Sequence, residues 1–219
     1  MFSTLSTVTP AAPSAPRARN RPGEGERLRT EIVDAADALL ADAGTVERLS
    51  LRGIARAAGI TAPAIYAHFA TKEALVAAVI ERRFAGLAAA LEAAAPTGRD
   101  ESGVPSSAPA DPASVVRARA RAYVRFGLEH PGVYAAIFGP GADHLGLAFE
   151  GSPGQRVFAL LLDPVAAVVA PHGADPFARA ADLWAALHGV VTLRSTLTGF
   201  PWDDLDAQVD RLVDGLLAS

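Results

Sequence analysis

From Glu26 to Ala43, apolar residues recur at helical spacing, and Ile32, Ala35, Ala36, Leu39 and Leu40 share one face. The pattern predicts an amphipathic helix that ends near Gly44. Ser50 can cap a shorter helix running to about Ala58, with Leu51, Ile54 and Ala55 inward. Gly59 follows, where a residue without a Cβ suits a tight turn at positive φ. Thr61 can cap the next short helix, with Pro63 tolerated in its first turn and Ile65 and Phe69 on one face. Thr71 can then cap a long helix through Leu91, which carries Leu75, Val79, Phe84, Leu87 and Leu91 near one stripe.

Two segments lack this periodicity. Residues 1–23 are rich in Pro, Ala, Ser and Thr and read as a disordered arm; residues 96–112 are rich in Pro, Gly and Ser and read as a flexible loop or linker. Beyond the linker, helices are predicted from Ser114 to Glu129, Pro131 to Phe138, Arg156 to Val169, Asp175 to Thr198 and Asp203 to Leu217. Residues 139–153 are expected to form a loop, and Pro164 to kink or break its helix. No segment reads as a strand. The predicted fold class is all-α, divided into the arm (1–23), a helix-turn-helix unit (24–71), a connecting helix (72–95), the linker (96–112) and a helical C-terminal domain (113–219).

The informative stretch runs from Leu49 to Leu75. Two short helices around a glycine turn form a helix-turn-helix, whose second helix enters a DNA major groove. The short helix from Thr61 offers bases only Ala62, Pro63, Ala64 and Ala67, so direct readout rests on apolar contact with thymine methyls and on fit. Tyr66, His68, Thr61 and Lys72 bracket that helix and can reach phosphates on either groove wall. The amides of the helices starting near Ser50 and Thr61 are further phosphate donors. Arg52 can reach a base edge or a phosphate. Each has a plainer reading: Tyr66 also suits a partly buried core, Lys72 a solvated helix start, and His68 either role. Arg17, Arg19 and Arg21 in the arm suit a minor groove, but a solubilising tail is the preferred reading.

The combination of Gly59, Thr61, Ile65-Tyr66, His68-Phe69 and Lys72-Glu73-Ala74-Leu75 resembles the DNA-binding domain of the tetracycline-repressor (TetR) family, over about residues 26–91. The C-terminal half is similar to one subgroup of that family, in Leu183-Trp184-Ala185-Ala186-Leu187-His188-Gly189 and in Glu129-His130-Pro131-Gly132-Val133-Tyr134. The resemblance implies a homodimeric regulator whose last two helices pair across a two-fold axis. It further implies double-stranded DNA with a near-palindromic operator as partner, and release by a small-molecule effector. The long helix from Thr71 is the expected lever.

Trp184 and His188 share a helix face that continues through Val191, Thr192 and Ser195. That face either lines an effector pocket with His188 as polar contact, or is core with His188 bonded to a neighbouring carbonyl. Tyr123, Phe126, Tyr134, Phe158, Trp184, His188 and Thr192 are the candidate pocket residues, a largely apolar set that suits an apolar or aromatic ligand with one or two hydrogen-bonding groups. Leu205, Val209, Leu212 and Leu216 form an i, i+4, i+7, i+11 stripe expected at the dimer interface.

Composition narrows the alternatives. The chain has no cysteine, so disulfides and thiolate metal sites are excluded, and its five histidines are dispersed without ligand spacing. No metal and no cofactor is expected. Net charge is −4: residues 1–95 carry 11 basic and 10 acidic side chains, residues 96–219 carry 9 and 14. DNA affinity must therefore come from locally placed groups rather than a bulk basic field. No nucleophile elbow or phosphate loop supports an enzyme. The N-terminus lacks a secretory pattern, and the most apolar stretch, Val157 to Ala170, is interrupted by Asp163-Pro164 and is short for a membrane span. No membrane partner and a cytoplasmic location are expected.

Overall fold

The computed structural model describes residues 24–43, 46–96, 110–139 and 151–218; among these, every regular element is a helix. The arm, Gly44, most of the 96–112 segment and most of the 139–153 loop lie outside the described residues. In chain order the helices are α1 (Glu24–Ala43), α2 (Leu51–Ala57), α3 (Ala62–Tyr66), α4 (Lys72–Ala94), α5 (Pro112–Glu129), α6 (Pro131–Phe138), α7 (Pro153–Val169), α8 (Pro176–Thr196) and α9 (Leu205–Ala218).

Local chemistry sets the starts. The side chains of Ser50, Thr71, Asp111, Ser152 and Asp175 each accept a backbone N–H two or three residues on. Helices α5 to α8 all open on proline, whose fixed φ and missing N–H suit that place. Two starts therefore lie earlier than the sequence pattern predicts: Pro112 and Pro153 begin α5 and α7 rather than precede them.

The core runs along α4. Leu75, Val79, Phe84, Leu87 and Leu91 are buried as predicted, and so are Val76, Ile80 and Ala88, because α4 is flanked by α1 and by α5 and α7. Arg83 is buried in the same row. Its guanidinium is held by the carboxylate and the backbone carbonyl of Asp37 on α1, while Arg82 pairs with Asp34. From Phe84 on, α4 meets the C-terminal helices: Phe84 packs edge-on against Phe138, and Glu92 pairs with Arg156.

Helix α7 runs through Pro164 without breaking. A proline leaves the carbonyl four residues back without its donor. That carbonyl belongs to Leu160, and Arg119 of α5 donates to it at 2.6 Å. The neighbouring helix thus supplies the hydrogen bond that Pro164 cannot. With the turn after it, Pro153–His172 is long and apolar enough to cross a membrane, longer than the apolar stretch alone suggests; here it packs against α4, α5 and α8.

Helix α9 docks on α5 through a ladder: Arg117 with Asp214, Arg121 with Asp210, Arg125 with Asp206. Both sets recur every four residues, so one face of each antiparallel helix meets the other. These acids are turned toward arginines of the same chain. A bare acidic face repelling DNA is not what this helix offers.

Candidate nucleic-acid interface and C-terminal cleft

Helices α2 and α3 meet in a turn that ends α2 by two reverse bonds. Gly59 N–H donates to Arg56 O at 3.2 Å and Ile60 N–H to Ala55 O at 2.9 Å. The motif requires a left-handed residue, and Gly59 supplies it with φ of +66°. Ile54, Ala55, Ile65 and Phe69 anchor the pair inward, each nearly fully buried. The opposite side of α3 is therefore solvent-facing. Tyr66 is 56% exposed, which excludes a core role for it; Pro63 and Ala67 are exposed, Ala62, Ala64 and His68 half-buried.

Capping divides the polar groups in a way the sequence does not show. Ser50 Oγ accepts from Gly53 N–H at 3.1 Å, so its oxygen already serves α2. Thr61 stands at the start of α3 in extended conformation yet makes no side-chain cap bond, against expectation. Its hydroxyl is exposed and available to another partner.

Arg52 and Arg56 follow one another by a turn of α2, both exposed; Arg48 is exposed just before it, and Lys72 is half-buried at the start of α4. Among the described residues none of the four forms a salt bridge, although Glu73 beside Lys72 feels its charge. Elsewhere arginines are mostly paired, as in the α5–α9 ladder and the Arg82/Arg83 cluster. Sequence reasoning missed Arg48 and Arg56. The i, i+4 spacing of Arg52 and Arg56 was the available signal.

A second feature opens between α5, α6 and α8: a cleft of about 350 Å³, lined chiefly by Tyr134, Phe138, His188, Val191, Thr192 and Ser195. Behind its wall runs a chain of polar groups. Trp184 Nε1–H donates to Tyr123 Oη at 3.0 Å, the Tyr123 and Tyr134 hydroxyls are 3.0 Å apart, and Tyr134 Oη lies 2.7 Å from His188 Nδ1. Tyr123 has no exposed surface. Burial pushes its hydroxyl up to about 12 and raises that of Tyr134, which also faces Tyr123; burial lowers His188 below its ordinary value. The tyrosines stay protonated and the imidazole neutral near pH 7.

Residues 32–79 match the model of the bacterial regulatory proteins of the tetR family, and residues 116–218 that of the tetracyclin repressor-like C-terminal domain. The two together span most of the chain. The chain belongs to the TetR family. Solved structures agree on the fold. A TetR-like transcriptional regulator from Rhodococcus sp. RHA1 superposes with a TM-score of 0.64 at 19% identity, over 88% of this chain and 96% of that one. The fatty acid degradation regulator FadR from Bacillus halodurans gives 0.66 at 16%, over 86% and 94%. A protein of unknown function from Rhodococcus sp. RHA1 gives 0.66 at 28%, over 87% and 94%. Comparison with proteins of curated function yields no match.

As a TetR-family transcriptional regulator the chain is DNA-binding, and members of this family also take small-molecule ligands and form dimers. Of the pocket residues expected from sequence, Tyr134, His188 and Thr192 line the cleft. Tyr123 stands one hydrogen bond behind it and Trp184 two. Phe126 and Phe158 are not among the lining residues; Phe126 packs edge-on against His130 and Phe158 at a tilt against Phe177. His188 bonds to a hydroxyl, not to the carbonyl that a purely structural role suggested. Among the described residues no group of His, Asp and Glu gathers as a metal site.

Proposed function

We propose that this TetR-family regulator is a homodimeric repressor that binds a near-palindromic operator and dissociates when an effector occupies the α5–α6–α8 cleft. The observation that carries the reading is the placement of cations that form no salt bridge among the described residues. Arg48, Arg52, Arg56 and Lys72 lie around α2 and α3, whereas Arg117, Arg121 and Arg125 of α5 are spent on α9 and Arg119 on α7. Unpaired cations on one face are what phosphate binding uses.

In this reading α3 lies in the major groove. Ala62, Pro63, Ala64 and Ala67 fit against base edges, and Arg52 reaches a base or phosphate. Ser50, Thr61, Tyr66, His68 and Lys72 hold phosphates on either side. The dimer forms through α8 and α9. Phe177 and Leu193 on α8 and Leu197 and Phe200 beyond it are each about half exposed, more large apolar surface than a monomer ordinarily leaves in water. The protein acts in the cytoplasm and performs no catalysis.

Effector release requires the ligand to bind the non-operator spacing of the two reading heads more tightly than the operator-bound one. A gel-shift with DNA flanking the protein's own gene tests the reading. A discrete complex on one near-palindromic fragment, competed by that fragment and not by bulk DNA, is expected; binding with no preference among fragments would refute it.

A further inference from the structure

The hydrogen-bond chain behind the cleft has a direction. An indole N–H can only donate, so Tyr123 Oη must accept from Trp184. Three arrangements of the remaining protons are conceivable. If His188 Nδ1–H donated to Tyr134 and Tyr134 to Tyr123, then Tyr123 Oη would accept twice and its own proton would have no partner. If Tyr123 and His188 Nδ1–H both donated to Tyr134, the Tyr134 proton would have no partner among the described residues. Both tyrosines are buried, and an unsatisfied buried donor is costly. In the third arrangement Tyr123 donates to Tyr134, and Tyr134 donates to His188 Nδ1. Every proton is then used. Nδ1 is an acceptor, and the imidazole carries its proton on Nε2.

His188 lines the cleft, and Nε2 has no partner among the described residues. The rest of the lining is alanine, glycine, proline, valine and phenylalanine, with hydroxyls only from Thr192, Ser195 and Thr196 beside the tyrosine already in the chain. Thr196 Oγ1–H is itself committed to Thr192 O at 2.8 Å. Among the described residues no charged side chain lines the space. A carboxylate placed there would lack a cation among them, and the neutral His188 cannot become one cheaply. Protonating Nδ1 would orphan the buried proton of either Tyr123 or Tyr134.

We propose that the Trp184–Tyr123–Tyr134 chain fixes His188 as a neutral Nε2–H donor, and that the cleft takes an apolar molecule bearing an uncharged carbonyl. This rests on the reading of the cleft as the effector site. The chain makes Tyr134 a positioning residue and gives His188 a contact whose direction is fixed, unlike the rotatable hydroxyls of Thr192 and Ser195. Ammonium compounds bring only donors to a donor, and carboxylates bring an uncompensated charge.

Two measurements on the full-length protein test this, both without DNA. The first is the ¹⁵N imidazole spectrum at neutral pH, with the His188 signals identified through His188→Gln. It should show an unprotonated Nδ1 and a protonated Nε2, and Tyr134→Phe should release that tautomer into a mixture. An Nδ1–H tautomer or an imidazolium in the wild type overturns the proposal.

The second compares four probes of one size by titration calorimetry up to the solubility limit: 4-phenylbutan-2-one, 3-phenylpropanoate, 3-phenylpropylamine and butylbenzene. The ketone should bind tightest, by a factor of about ten over each of the others. His188→Phe should remove its advantage over butylbenzene. No binding by any probe, equal binding by all, or preference for the carboxylate overturns it. Operator release is read separately by gel-shift. Ketone binding that leaves operator affinity unchanged supports the carbonyl assignment while sinking the effector reading, so the two failures are told apart.

Discussion

At the scale of single residues, the proposed DNA contacts rest on groups that few intramolecular bonds occupy. Thr61 forgoes its cap bond, Tyr66 turns its ring outward, and Lys72 forms no salt bridge among the described residues. A phosphate contact gives affinity without sequence preference, because every nucleotide carries the same phosphate. Lys72→Ala and Tyr66→Phe should therefore weaken specific and non-specific binding alike, with melting temperature unchanged. For Lys72→Ala the slope of log affinity against log salt should fall by about one. Anisotropy titrations at several salt concentrations check this; an unchanged slope removes Lys72 from the interface. Ser50 is a weaker candidate by the same reasoning. Its oxygen already holds Gly53 N–H, so only its hydroxyl proton is left to offer.

At the scale of elements, Pro164 shows what a sequence cannot settle alone. Read by itself it predicts a kink or break, since it deletes one bond from its helix. What keeps α7 continuous is Arg119, 45 residues earlier in sequence and on another helix, bonded to the orphaned Leu160 carbonyl. Arg119→Met should destabilise the protein by about 1 kcal/mol by leaving that part-buried carbonyl unpaired. Pro164→Ala in the same background should recover most of the loss, because the helix then satisfies the carbonyl itself. Denaturant unfolding of the two single variants and the double variant closes the cycle; additive effects would show that Arg119 and Pro164 act independently. The same contrast runs through the chain. Helix positions, the Gly59 turn and the inward faces of α1 to α4 were legible, since each follows from residues within one or two turns. The cleft was legible in part. Periodicity put His188 and Thr192 on one face, but only the packed helices bring Tyr123 and Tyr134 to His188 through a directed chain. The partners of Arg83 and of the α5 arginines lie on α1 and α9, beyond any local pattern.

At the scale of the whole molecule, the question is how two reading heads and two clefts become one device. Pairing comes first. Leu193 near the end of α8 and Leu197 just after it lie about half exposed, and a charge at the first of them would be desolvated without a partner in the proposed interface. Leu193→Asp should yield a folded monomer in sedimentation, with operator affinity reduced by about two orders of magnitude because the second half-site no longer binds intramolecularly. A dimer of wild-type affinity would move the interface elsewhere. Coupling comes second, and α6 is the element placed to provide it. One side of α6 is cleft wall through Tyr134 and Phe138; its first turn abuts the C-terminal end of α1. The approach is so close that a Cβ on Gly132 would stand 2.3 Å from the carbonyl oxygen of Ala41. Only glycine fits there, and whatever displaces α6 must displace α1 or lose that contact. Helix α1 in turn packs on α2 and is clamped to α4 by Arg82 and Arg83. In the proposed mechanism a movement of the cleft wall reaches the reading head by this route as well as along α4. Gly132→Ala forces the two backbones apart without touching cleft or DNA. It should cost about 1–3 kcal/mol of stability. It should also lower operator affinity in the absence of effector and shrink the further loss that effector causes, since part of the shift is already made. Thermal unfolding and operator titrations with and without effector measure both. A variant that is destabilised but keeps the wild-type ratio of operator affinities would leave α6 a packing element and return the signal to α4 alone.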